Sequence, residues 1–281
     1  MLNPKFFARI KDLYDKRDSL NLTSEDSWLL ERYYKDLIQS GAHLSDQQRA
    51  RLTELNGALS KLSTTFSKNL LADTNDLAII VDSAQELDGL TPNQISAAAT
   101  AATERGLSGK WLLAQVNFTG NPLLNSLTNR ELRKRIMESS LQKGNLNNAN
   151  DNKSVLLEMV KLRAERAQLF GVNSHAEHIT AVQTAENPAN VHAMLKKIAP
   201  AAVRNANTEA ADLAQSAGSA IESWDWGFYT EKVRLEKYSI DTAKMQPYFE
   251  LERVLHDGVF FAANKLFGIT FKERPDLITY H

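Results

Sequence analysis

Cysteine is absent from the 281 residues. That excludes disulfides, a thiolate nucleophile and any thiolate metal site, so a zinc ion here would need histidine and carboxylate ligands. An excess of either charge is also missing. The 33 basic residues face 34 acidic ones, which leaves no electrostatic footprint for nucleic acid or for an anionic membrane surface. No run of about 18 apolar residues occurs. The amino terminus, Met1-Leu2-Asn3-Pro4-Lys5-Phe6-Phe7, lacks the extended apolar core and small-residue cleavage site of a leader. These features together place the expected location in the cytoplasm. There is no glycine-rich phosphate loop and no Gly-x-Ser-x-Gly elbow, so nucleotide binding and serine hydrolysis find no support.

Helix is what is present. With 43% hydrophobic residues the chain can bury a large core, and its length permits one or two domains. Ser45 with Gln48, Thr91 with Gln94, Thr128 with Glu131 and Ser174 with Glu177 each match the capping box, which satisfies two orphan amides reciprocally. Four boxes predict at least four helix starts. The first opens a segment in which Leu52, Leu55, Leu59, Leu62, Phe66 and Leu70 recur every three or four residues on one face. This predicts a coiled-coil-like antiparallel arm paired with the 28–38 segment, whose apolar set is Leu30, Tyr33, Tyr34, Leu37 and Ile38. Gly41, Gly106, Gly171 and Gly268 stand where left-handed helix caps are expected. Asn187-Pro188 reads as an N-cap followed by proline at the first helical position, opening a long helix that Pro200 should kink.

Strands are few. Leu77-Ala78-Ile79-Ile80-Val81 and Trp111-Leu112-Leu113-Ala114-Gln115-Val116 are short apolar runs that can pair, and Ile269-Thr270-Phe271 with Leu277-Ile278-Thr279-Tyr280 reads as a second pair. A second pair ending at the carboxyl terminus would leave an unpaired edge. The polar 144–152 loop is the one candidate boundary, and its length suits a helix-to-helix connection better than a flexible linker. The expected organisation is therefore residues 1–143, a helical arm with a small strand pair, and residues 153–281, a further helical region, together forming one continuous unit.

Chemistry-bearing clusters are sparse. His175-Ala176-Glu177-His178 crowds two histidines and a carboxylate, but at i and i+3, whereas a helical zinc site needs i and i+4. Glu177 also sits at the third position of the box begun by Ser174, so a solvated helix start is expected. His43, His192, His256 and His281 are isolated. Glu131, Arg133, Lys134, Arg135 and Glu138 read as a solvated face with i, i+4 pairs. Trp224, Trp226, Phe228 and Tyr229 suit either core packing or an aromatic wall for a ligand, and core packing is the expectation.

Three successive segments, Trp224-Asp225-Trp226-Gly227-Phe228-Tyr229, Pro247-Tyr248-Phe249-Glu250-Leu251 and Phe267-Gly268-Ile269-Thr270-Phe271, resemble the stretch leading into the zinc site of the thimet oligopeptidase and peptidyl-dipeptidase family of metallopeptidases. Leu59-Ser60-Lys61-Leu62-Ser63-Thr64-Thr65-Phe66-Ser67-Lys68-Asn69 is similar to that family's long N-terminal helix. Asn129-Arg130-Glu131-Leu132-Arg133 is similar to its Asn-Arg-Glu-Leu-Arg segment. Leu162-Arg163-Ala164-Glu165-Arg166-Ala167 with Leu169-Phe170-Gly171 is similar to its Leu-Arg-x-Glu-x-Ala-x-Leu-Leu-Gly. Within the family, Asn117-Phe118-Thr119, Asn121-Pro122 and Leu127-Thr128-Asn129-Arg130 look closest to bacterial peptidyl-dipeptidases, the dipeptidyl carboxypeptidases.

The resemblance implies a mostly α fold, the N-terminal and middle region of a helical metallopeptidase with long antiparallel helices and a few short strands, truncated before the catalytic zinc helix. In the complete family enzyme a deep channel admits short peptides, and zinc is held by two histidines of His-Glu-x-x-His and a later glutamate. Zinc-bound water, activated by the motif glutamate, would attack the scissile carbonyl to release a C-terminal dipeptide. Those ligands follow the segment near Ile269 in the family and do not occur in these 281 residues. The expectation is thus no catalytic, cofactor-binding or metal-ligating residue here, no zinc bound to this chain, no activity alone, and further family helices upstream of Met1. The alternative is a non-catalytic helical peptide-binding or scaffold protein.

Overall fold

The computed structural model describes residues 4–116, 121–239 and 242–280. The termini Met1-Leu2-Asn3 and His281, and the Asn117-Phe118-Thr119 element of the resemblance, lie outside the described residues. The chain divides into two compact units, Met1–Tyr229 and Thr230–His281.

In the first unit α1 (Pro4–Asp15) packs on α2 (Ser24–Gln39). The contact is aromatic: Tyr34 stacks on Tyr14 at 3.9 Å between ring centroids and on Phe7 at 6.3 Å. Helix α3 (Asp46–Asp76) starts at the Ser45 capping box, both arms of which form. At 31 residues it runs roughly 46 Å. Its apolar stripe is inward, with Leu52, Leu55 and Leu59 buried and Leu62, Phe66 and Leu70 half-buried.

The partner of that stripe differs from the expected one. α3 packs on α6 (Lys153–Leu169), not on α2. Arg51 forks onto Glu165 at 2.7 and 3.0 Å, Arg166 donates to Asn56, and Asn69 donates to Asn152. Periodicity tells which face of a helix is apolar, but two stripes of similar width are equally good partners, and long-range polar pairs decide between them.

A compact core forms among the elements that follow α3. Strands β1 (Ile79–Val81) and β2 (Trp111–Leu113) pair antiparallel with Ile80 opposite Leu112, as expected for those runs. Between them in sequence comes α4 (Pro92–Glu104), which starts at the complete Thr91 box. Val81, Leu87, Leu90, Leu113, Leu124, Leu127, Leu132 and Ile136 form one buried cluster, bringing together the strands, a 3₁₀ turn at Pro122–Asn125 and α5 (Arg130–Leu141).

Two of the expected boxes are remodelled. Asn129, not Thr128, caps α5, its Oδ1 accepting from the Leu132 amide. Thr128 is engaged elsewhere: its hydroxyl donates to the Asp88 carboxylate at 2.8 Å and its amide to the Asp88 carbonyl. Ser174 does cap α7 (His175–Thr180), but Glu177 reaches past it to accept from the Asn173 amide.

Helix α8 (Pro188–Ala217) begins at Asn187-Pro188 and continues through Pro200 to a left-handed Gly218. Only Leu213 is buried along it, while Met194, Leu195, Ile198 and Val203 are exposed. Gly41, Gly106, Gly171 and Gly268 all take positive φ, as their cap positions require.

The unit boundary falls inside α9 (Trp226–Tyr238). The second unit continues with α10 (Thr242–Met245), a 3₁₀ turn at Gln246–Phe249, and a helical run in which α11 (Leu251–Arg253) and α12 (Phe261–Phe267) flank the π-wound Val254–Phe260. Phe260 stacks on Phe271 at 4.1 Å. No strand forms at residues 269–271 or 277–280. Ile278 and Tyr280 are fully exposed. A lone two-stranded ribbon is marginal in water, and here there is no buried face to hold one.

Candidate functional site

Two of the segments that carry the resemblance meet in the first unit. Asp225, between the tryptophans, is 1% exposed and lies against Arg133, also 1% exposed. Its Oδ1 accepts from Arg133 Nη2 at 2.8 Å, its Oδ2 accepts from Arg130 Nη2 at 2.7 Å, and the Glu222 amide donates to the same Oδ2. Burial pushes the Asp225 carboxyl up, but the two guanidinium groups and the amide outweigh it and hold the pKa at about 2. Arg133 has every side satisfied: Nε donates to the Trp224 carbonyl and Nη1 to those of Leu127 and Thr128. The Phe228 ring covers its guanidinium at 4.3 Å.

This corrects two expectations. Arg133 does not belong to a solvated face, because it shares the inward stripe of α5 with Ile136 and Ser140. The aromatics Trp224 and Phe228 are half-buried covers over cations, Trp224 lying 5.5 Å from Lys134 Nζ, and are not core filling. The signal was legible in part, since an i+3 step from Arg130 to Arg133 puts two cations on one side of a helix. Its anionic partner, 92 positions away, was not. The same junction explains Gly227, where a Cβ would come within 2.5 Å of Asn125 Oδ1.

A second buried carboxylate, Asp73 near the end of α3, is fully enclosed. The 144–152 loop wraps it: the Gly144 amide donates to Oδ2 at 2.7 Å, and the Asn148 and Asn150 side-chain amides donate to Oδ1 at 3.1 and 3.0 Å. Burial raises this carboxyl and the three donors more than offset it, leaving a net lowering. The loop is therefore a fastened connection within the first unit.

His178 is buried rather than solvated. Gln39 Nε2 lies 3.2 Å from His178 Nε2 and donates to the His178 carbonyl at 2.8 Å, and Phe170 packs on the ring at 4.2 Å. An amide nitrogen only donates, so this ring nitrogen accepts. Burial, then the charges of Arg166 and His175, lowers the His178 pKa. A neutral, shielded imidazole with its outward nitrogen occupied is no metal ligand. Among the described residues no three His, Asp or Glu side chains are grouped to hold a metal ion. A cleft of about 310 Å³ between α2 and the turn after α7 is lined by Glu31, Arg32, Lys35 and Asp36, which pair with one another along the helix at 2.5 and 3.0 Å. No helix among the described residues is long and apolar enough to cross a membrane.

The Asn-Arg-Glu-Leu-Arg and Trp-Asp-Trp-Gly segments are thus fastened to one another within a mostly helical framework. The chain belongs to peptidase family M3, whose pattern matches residues 123–281. It is 36% identical to the dipeptidyl carboxypeptidase of Escherichia coli (strain K12) over 285 aligned residues, covering 100% of this chain and 42% of that protein. The dipeptidyl carboxypeptidase of Salmonella typhimurium is 35% identical with the same coverage. The chloroplastic/mitochondrial organellar oligopeptidase A of Arabidopsis thaliana is 30% identical over 96% of this chain and 36% of its own length. The chain thus spans about two fifths of the length of the curated relatives it matches.

Proposed function

We propose that these residues form the helical framework of a zinc-dependent peptidase that removes C-terminal dipeptides from short peptides, and that the zinc ligands lie outside them. The observation that carries this reading is the 36% identity to a dipeptidyl carboxypeptidase along the whole chain. The framework's task is to position: the Asp225 clasp fixes the start of α5 against the 224–229 segment. Residues 1–143 and 153–281 act together across the fastened 144–152 loop. The same reading places the protein in the cytoplasm, which a chain built without disulfides suits and cell fractionation checks.

The test is enzymatic. The purified 281-residue chain with added zinc should release no dipeptide from the carboxyl end of an N-terminally blocked peptide. The same chain joined to the remaining part of the Escherichia coli dipeptidyl carboxypeptidase should release it, and a chelator should stop it. Chelator-sensitive release by the 281 residues alone would sink the reading. A joined protein that binds peptide but never cleaves it would favour the scaffold alternative.

A further inference from the structure

The cleft between α2 and the turn after α7 holds one acid whose charge the chain leaves unanswered. Its α2 wall is Trp28, Glu31, Arg32, Lys35 and Asp36, at spacings of three and four that put all five on one side of the helix. The 181–186 turn closes the other side, with Val182 and Glu186 lining it. At about 310 Å³ the cleft is at the small end of ligand pockets. Its two cations are each held by an acid of the same helix, Lys35 by Glu31 at 2.5 Å and Arg32 by Asp36 at 3.0 Å. The third acid, Glu186, has no side-chain partner among the described residues.

Two independent observations single out the cleft walls. Glu186 takes φ +64°, a left-handed conformation that costs a residue with a Cβ about 1 kcal/mol or more. The surroundings impose it: the Glu186 amide donates to the Gln183 carbonyl, Asn187 caps α8 by accepting from the Asn190 amide, and the Asn190 side chain donates back to the Ala185 carbonyl at 2.9 Å. The strained residue is also the one whose carboxylate is free. On the facing wall Trp28 is 63% exposed and has no ring or cation partner among the described residues. An indole left in water adds nothing to a core, whereas in a cleft it offers a large rigid contact to a ligand. Lys35 does not take Glu186 for itself, since Glu31 dominates its raised pKa and Glu186 is the least of the causes.

We propose that this cleft binds an organic cation, the basic side chain or the terminal amine of a peptide, with the Glu186 carboxylate as its counter-ion and the Trp28 ring as its cation–π wall. Val182, 44% exposed, meets the methylenes that carry the charge. An anion in the same place would face three acids, and Arg32 and Lys35 would have to leave their partners to reach it. A neutral ligand would leave Glu186 unanswered. The site lies within the first unit, in elements other than those of the Asp225 clasp, and does not rest on the peptidase reading.

The experiment is a titration of the 281-residue chain followed by indole N–H NMR, the Trp28 resonance being assigned by its loss in Trp28→Phe. The probes are N-acetyl-lysine amide for a basic side chain, alanine amide for a terminal amine and N-acetyl-alanine amide as the neutral control, against sodium chloride at matched ionic strength. The expected result is saturable movement of the Trp28 resonance with at least one of the two cations and none with the neutral compound. Response to the lysine compound alone identifies a basic side chain, and response to alanine amide alone a terminal amine. Glu186→Gln should weaken binding about ten-fold, the loss of one charge-assisted contact, and Trp28→Ala about three-fold, the loss of an exposed cation–π contact. Glu186→Gly separates binding from folding: glycine takes the positive φ freely, so the melting temperature should hold while the affinity falls as in Glu186→Gln. Movement in the unaltered chain no greater than in sodium chloride, or equal with the neutral compound, would overturn the proposal, as would full affinity in both Glu186 variants.

Discussion

The molecule encloses two carboxylates in opposite ways. Asp225 is met by two guanidinium groups from α5, while Asp73 is met by three neutral N–H donors from one nine-residue loop. Both stay ionised, and both are nearly sealed from water. The difference lies in what remains if the acid is removed. Without Asp225, Arg133 is a buried cation with no anion, whereas without Asp73 only neutral donors are left. A charge-compensated centre is therefore the more brittle of the two.

The largest expected effect tests that claim directly. Asp225→Ala should lower unfolding free energy by about 3–5 kcal/mol in urea titrations, and adding Arg133→Met should recover part of the loss. No recovery would mean that Asp225 acts through packing alone.

Acid titration comes next. The Asp225 carboxyl is depressed to about 2 from about 3.9 unfolded, so its contribution, about 2–3 kcal/mol, is complete above pH 4 and disappears as pH falls through 2. Asp73 is lowered in the same direction and adds to the same slope. His43, His175 and His178 are lowered as well, so the unfolded chain takes up their protons first, and stability should begin to fall below about pH 6.5. A melting temperature flat from pH 7 to 5 would contradict the burial of these rings.

Asp73→Ala should cost less than the first substitution, about 1–3 kcal/mol, and should make the 144–152 loop cleavable by protease while the rest resists. Equal losses at Asp73 and Asp225 would erase the distinction between them. The smallest effect is expected at Gly227→Ala, about 1 kcal/mol, reduced when Asn125→Ala opens the space its Cβ would need.

How much of this could be read beforehand depended on sequence distance. The Ser45 and Thr91 boxes, the Asn187-Pro188 start and the glycine caps involve partners within a turn, and they form as the residues dictate. The β1–β2 pair was legible because both runs are short, apolar and bounded by turns. Thr128 lost its cap to Asn129 because Asp88, 40 positions earlier, competes for its hydroxyl. The choice of α6 by α3 and the capture of Arg133 by Asp225 rest on partners about 90 to 114 positions apart, beyond any local periodicity. The apolar runs at 269–271 and 277–280 had the composition of strands, but among the described residues they stay largely exposed apart from the stack of Phe271 on Phe260.

The separation of Arg133 from its acid also sets a timetable. At about 5–20 residues per second of synthesis, the guanidinium leaves the ribosome roughly 5–20 seconds before the carboxylate that is to neutralise it, 92 residues later. During that interval α5 cannot close its inward stripe without dehydrating a lone cation. The β1–β2 pair and α4 therefore gain their cover from α5 only once the 224–229 segment has emerged.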